Sequence, residues 1–178
     1  MPNFIIQPKL TTKPLNQNRM NKINKDKLKA LEIEQLTTKY PSMRPELIPL
    51  TDWKDTSANG LTKCIIFYIN ALGGQAERIS SQGQYREGKK IKVGTGSIEY
   101  EKQLPGKWTP GQSTKGTADI SATIRGRSVK IEVKYGNDKQ SDAQKQYQEA
   151  IEKAGGTYII AKDFDSFVLW YESFSLHL

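Results

Sequence analysis

Apolar and polar residues alternate one for one in two neighbouring stretches of this chain. In the first, Ala118, Ile120, Ala122 and Ile124 point one way and Asp119, Ser121 and Thr123 the other. In the second, Val129, Ile131 and Val133 stand opposite Lys130, Glu132 and Lys134. A period of two, rich in β-branched residues, predicts half-buried strands over 118–124 and 129–134. Arg125-Gly126 lies between them, and glycine supplies the positive φ that a tight hairpin turn demands. A two-residue loop sets Ile124 against Arg127, Ala122 against Val129, Ile120 against Ile131 and Asp119 against Glu132. The apolar faces match in that register.

The rest of the chain reads as follows. Lys25 to Lys39 predicts a short helix with Leu28, Leu31 and Leu36 on one side. Ser57 to Leu72 predicts a helix that is apolar nearly all round, and so well buried, with Gly73-Gly74 as its stop. Gln75 to Ser81 alternates and predicts a first strand. Gln82 to Gly96 is polar and glycine-rich, which predicts a mobile hairpin or loop beside the site. Leu104 to Lys115 carries Pro105, Gly106, Pro110 and Gly111, a pattern expected to exclude regular structure. Ser141-x-x-Gln144 matches a capping box, opening a helix with Ala143, Tyr147, Ala150, Ile151 and Ala154 as its apolar stripe. Thr157 to Ala161 predicts a short apolar strand, and Asp163 can cap a last helix whose aromatic residues belong to the core. This order of elements suits an α/β fold of mixed α+β type, a central mixed sheet with helices on both faces.

Composition adds a division and a charge. The segment 1–50 reads as a basic N-terminal arm with a short helix and a proline-rich connection, and 51–178 as the folded domain. Lys9, Lys13, Arg19, Lys22 and Lys25 all precede the first acid, Asp26. Such an arm either wraps DNA or a partner chain, or is a loosely docked tail. The 178 residues carry 27 Lys and Arg against 19 Asp and Glu, a net charge of +8. That excess favours polyanions, nucleic acid before anionic membrane. The single Cys64 has no internal disulfide partner, and the only histidine is His177. That argues against histidine-based hydrolysis and against Cys/His zinc sites, and no P-loop is present. Phe4-Ile5-Ile6 is too short for a leader and no apolar run approaches about 18 residues, so an intracellular, cytoplasmic protein that spans no membrane is expected.

The candidate chemistry sits on the hairpin. Opposed Cβ atoms in an antiparallel pair lie about 4.5–5.5 Å apart. Asp119 and Glu132 at that separation would repel, raising one pKa unless a cation lies between them. A hard divalent ion with oxygen ligands resolves the conflict. Lys134 projects from the same face as Glu132, placed to act on whatever the ion binds. The bland alternative is a solvated outer face. Lys107, Trp108 and Lys115 lie just before Asp119 and are expected near it, Lys115 on phosphate and Trp108 plugging the edge of the core. Arg86, Lys89 and Lys90 offer cations for a nucleic-acid backbone, and Tyr85 and Tyr100 either stack on bases or are half-buried.

The ordered set Gly116-x-x-Asp119, Glu132-Val133-Lys134, then Gln144 before Gly155-Gly156 resembles a VRR-NUC domain. That is a branch of the PD-(D/E)XK, restriction-endonuclease-like nucleases, and the likeness runs from about Ser57 to about Tyr171. It implies a restriction-endonuclease-like core and cleavage of DNA dependent on Mg2+ or Mn2+. It also implies a phage or mobile-element origin, and hence the cytoplasm of a host cell. Asp119 and Glu132 would then ligate the metal, joined by the backbone carbonyl of Val133. Lys134 would orient the attacking water and stabilise charge on the phosphate, with Gln144 supporting the site. Members often carry a further acid on the preceding helix. Here that helix has none, and Asp55 and Glu77 flank it, Glu77 being the additional acid to consider. Cutting both strands of a duplex asks for two sites, which opens the way to a homo-oligomer. A non-catalytic DNA-binding module and a nuclease acting on RNA remain as alternatives.

Overall fold

The structure is a computed structural model that describes residues 20–79, 84–95, 98–109 and 114–176. Helix α1 (Lys22–Lys39) starts three residues before the predicted point, because Asn21 caps it by accepting from the Asn24 amide at 2.8 Å. Its Leu28 is fully buried. Glu32 is buried too, and its carboxylate takes the Thr51 amide and hydroxyl and the Trp53 indole. Each lone pair turned inward is thus given a donor. Helix α2 (Ala58–Ala71) is capped by Ser57 and buries Leu61, Cys64, Ile65, Tyr68 and Ile69. Burial pushes the Cys64 thiol up to about 12, as for an inert core cysteine.

The main sheet contains β1 (Gln75–Arg78), β6 (Ile120–Ile124), β7 (Arg127–Val133) and β8 (Thr157–Ala161), in that spatial order. β1 and β7 both run antiparallel to β6, and β8 runs parallel to β7. Helix α3 (Asp142–Lys153) is the crossover that a parallel pair requires. The β6–β7 turn is Arg125-Gly126, both with positive φ (48° and 79°). The register is the one the alternation predicts, Ile120 on Ile131, Ala122 on Val129 and Ile124 on Arg127.

One sheet face is apolar. Ala76, Ile120, Ala122, Ile124, Val129, Ile131, Val133 and Ala161 pack under α2 and under α4 (Phe164–Leu176). Tyr68 of α2 meets Phe164, Phe167 and Tyr171 of α4 edge-on. Fully burying one such side chain stabilises by about 1.5–3 kcal/mol. Asp55 ties this layer together, accepting from the Met20 and Phe164 amides, which is a structural use of that acid. The other face is polar and carries α3, whose Tyr147 meets Tyr158 edge-on. The fold is thus a mixed α+β sandwich, and no helix among the described residues is long and apolar enough to cross a membrane.

Among the described residues, four further strands lie outside this sheet. β2 (Gln84–Arg86) pairs with β5 (Lys107–Thr109), and β3 (Lys90–Thr95) pairs with β4 (Ile98–Gln103). Together they make one nested ribbon, closed by the Leu104 amide on the Lys89 carbonyl at 3.1 Å. Three expectations are corrected here. Residues 107–109 are a strand, because Pro105 and the following Gly106 end before it and leave three amides free to pair with β2. Trp108 does not plug the core: it is 59% exposed, on a ribbon strand outside the main sheet. Tyr85 is exposed as well rather than half-buried, while the side chain of Tyr100 and all of residues 1–19 lie outside the described residues.

Candidate active site

The strands β6 and β7 part at one end, and the candidate residues gather at that fork. Their ladder stops at the Ile120–Ile131 pair, so Asp119 stands one residue beyond β6, not inside a strand as the alternation suggested. Its carbonyl accepts from the Ile79 amide at 2.8 Å, and its carboxylate accepts from the Val133 amide at 2.9 Å. A strand residue sends its N–H and C=O to the same edge. The Val133 carbonyl therefore opens on the side where Asp119 stands, while the next amide, Lys134, bonds the Ala161 carbonyl of β8 at 2.9 Å.

Glu132 lies on the polar face and is buried to 2% exposure under α3, not solvated. The Lys134 ammonium sits 2.9 Å from Glu132 Oε1, and the Gln144 amide donates to the same oxygen. The Tyr158 hydroxyl stands 3.5 Å from Oε2. Burial raises the Glu132 carboxyl above the usual range; Lys134 opposes the rise and the charge of Asp119 adds to it. The Tyr158 phenol is raised as well, first by burial and then by the Glu132 charge.

Gln144 serves two purposes at once. Its Oε1 accepts from the Ser141 amide at 2.9 Å, completing the capping box of α3, and from Lys134 Nζ at 3.0 Å. A carbonyl oxygen has two lone pairs and the amide nitrogen two protons, so cap and site do not compete. Gly116 docks the Asp119 loop on the same helix. It has a φ of +80°, and a Cβ there would collide with the Ala143 carbonyl.

The sheet thus brings Asp119, Glu132, Val133, Lys134 and Gln144 together. Glu77 lies on the same face of β1, opposite Ser121, and is exposed. Among the described residues, no group of three or more His, Cys, Asp or Glu side chains could hold a metal ion. The available oxygen donors are two carboxylates and one carbonyl. They fit a hard divalent ion such as Mg2+, which is bound through one or two carboxylates and keeps several waters.

Of the cations expected to hold nucleic acid, four lie on the ribbon, and Lys115 adjoins Gly116, which docks on α3 beside Gln144. Arg86, Lys89, Lys90 and Lys107 all lie exposed on the ribbon, Lys90 reaching Glu101 at 4.0 Å, and Lys115 is exposed on the turn before Gly116. Sequence reasoning missed Tyr158. Its signal was its parity: two strand positions from Ile160 and opposite Lys130, it belongs to the Glu132 face. No protein-family model matches this chain, and no curated protein matches it.

Proposed function

We propose that this chain is a divalent-metal-dependent nuclease that hydrolyses phosphodiester bonds of DNA, of the VRR-NUC type within the PD-(D/E)XK superfamily. The observation that carries this reading is the convergence of Asp119, Glu132 and Lys134 at one strand fork, with Lys134 held 2.9 Å from Glu132. Asp119, Glu132 and the Val133 carbonyl would hold the ion. When bound, a divalent ion lowers the pKa of a water and offsets charge on the phosphate. Lys134 keeps an ammonium beside the carboxylates, where it orients the water and stabilises charge developing on the phosphoryl oxygens. Gln144 fixes Lys134 and Glu132 relative to each other, so neither must reorganise when the phosphate enters.

The direct test incubates labelled single strand, duplex, branched junction and RNA with Mg2+ or Mn2+, with and without chelator. Cleavage of DNA is expected, lost with chelator and lost in Asp119→Ala and Lys134→Ala, which keep DNA binding. Equal cutting by wild type and Lys134→Ala would end this reading. Cleavage confined to RNA would reassign the substrate.

One observation favours a second reading, a non-catalytic DNA-binding module. Lys134 and Gln144 both occupy the same oxygen of Glu132, and no third acid joins the pair among the described residues. That reading expects salt-sensitive DNA binding and no product with any divalent ion.

A further inference from the structure

Tyr85 and Trp108 are direct partners across the β2–β5 ribbon, so their rings share one face. They are 62% and 59% exposed. A two-ring apolar patch left to water on a soluble-facing ribbon asks for an occupant. The next pair along the ribbon is Arg86 against Lys107, both exposed and without an ion-pair partner among the described residues. Like charges placed directly opposite destabilise a strand pair. An anion supplied from outside removes that repulsion. A groove of ≈ 540 Å³ runs beside Tyr85 between the two parts of the ribbon, lined also by Glu87, Gly88, Gln103, Leu104, Pro105 and Gly106.

Flat apolar rings on one face of a narrow ribbon and unneutralised cations on the other match a strand whose bases are free to stack and whose backbone is anionic. In a duplex the base faces are already stacked on each other, so only unpaired nucleotides gain from the two rings. The ribbon is also tethered to the strand fork. Tyr85 follows Ile79 by six residues, and Ile79 donates its amide to Asp119. Six residues span at most about 20 Å. Trp108 precedes Thr114, on the other leg, by the same number.

The geometry points to the Tyr85–Trp108 face as a stacking platform for unpaired nucleotides next to the cutting site, with Arg86 and Lys107 reaching round the narrow ribbon to the phosphates. This inference rests on the nucleic-acid reading above and narrows its substrate to DNA with a single-stranded portion.

The test measures binding of the full chain, in chelator, to a labelled single-stranded oligonucleotide and to a blunt duplex of equal length. Wild type is expected to bind both and to favour the single strand. Tyr85→Ala with Trp108→Ala is expected to weaken single-strand binding by at least about tenfold, given the worth of a base–aromatic stack, with duplex binding little changed. Tyr85→Phe with Trp108→Phe should restore it. Arg86→Ser with Lys107→Ser should lower the salt slope on the single strand by about 1.4, about 0.7 for each lost cation. Unchanged single-strand affinity in the double alanine variant overturns the platform and leaves the nuclease reading standing. Failure of wild type to bind either DNA overturns that reading and this inference together. A dimer lost in the double variant, with single-strand affinity intact, assigns the patch to a second copy of the chain and overturns the inference.

Discussion

The side-chain amide of Gln144 donates to the carboxylate of Glu132, twelve residues earlier in the chain. Through its other atom Gln144 also closes the first turn of α3. The helix start and the ion pair are thereby one hydrogen-bonded unit, and substitutions can separate its parts. Ser141→Ala removes only the hydroxyl that accepts from the Gln144 backbone N–H, and should cost about 1 kcal/mol while leaving cleavage intact. Gln144→Ala also strips partners from Glu132 and Lys134, and should add about 1–3 kcal/mol and slow cleavage. Gln144→Glu keeps the cap acceptor but sets a second carboxylate against Glu132. It should fold and cut poorly. Urea denaturation with a cleavage assay on the same preparations checks all three.

The buried carboxyl of Glu132 makes stability depend on pH. Its folded pKa is raised above the ordinary 4.5, with burial as the leading cause. The unfolded chain therefore releases this proton more readily than the folded one. The stabilising contribution is full below pH 4.5 and is lost as pH rises through the raised folded value. Glu132→Gln cannot ionise. Its stability relative to wild type should increase from pH 4 towards neutrality in chelator and then level off. Denaturation midpoints of both proteins across that range provide the measurement, and a flat difference would remove burial as the cause.

A divalent ion that neutralises the acids should reverse that penalty. At about 100 times its dissociation constant, an ion bound only by the folded state adds about 2.7 kcal/mol. For a chain of this length that is about 5–10 °C in Tm. Mn2+ should raise the Tm of wild type by this order, and Asp119→Asn should abolish the rise. Glu77→Gln should keep it, because Glu77 is exposed on β1 and pairs with Ser121. A rise lost in Glu77→Gln would make Glu77 a ligand.

Gly116→Ala tests how tightly the Asp119 loop must approach α3. The residue has a φ of +80°, and its Cβ would strike the Ala143 carbonyl. Backbone strain of this kind costs about 1–3 kcal/mol and the steric overlap adds to it. The expected result is a less stable protein in which the Mn2+ shift shrinks, because Asp119 moves with the loop. An unchanged melting curve would mean that the loop does not depend on this contact.

The central hairpin was legible because a period of two has only two phases, and the apolar phase must face α2 and α4. Once Arg125-Gly126 is taken as the loop, the whole β6–β7 register follows, as does the side on which Glu132 and Lys134 emerge. The ribbon was far less legible. Its outer strands β2 and β5 have three residues each, too few for an apolar phase to mark them, and glycine and proline frame β5 like an irregular loop. Trp108 was misplaced for the same reason: composition argues for burial of a tryptophan, but only tertiary packing supplies the cover. The depth of Glu132 was hidden too, because the alternation marks its face as polar and is silent about the helix laid across it.

The two-residue turn at Arg125-Gly126 sits at the opposite end of the hairpin from Asp119. Adding a single amino acid there would roll β7 over by half a revolution, since neighbouring side chains leave a strand on opposite sides. Ile131 and Val133 would then be thrust beneath α3, and an ammonium and a carboxylate would be driven among the isoleucines of α2. Surface loops usually tolerate changes of length, yet this one is a counting device, and its count decides which side chains are available for chemistry.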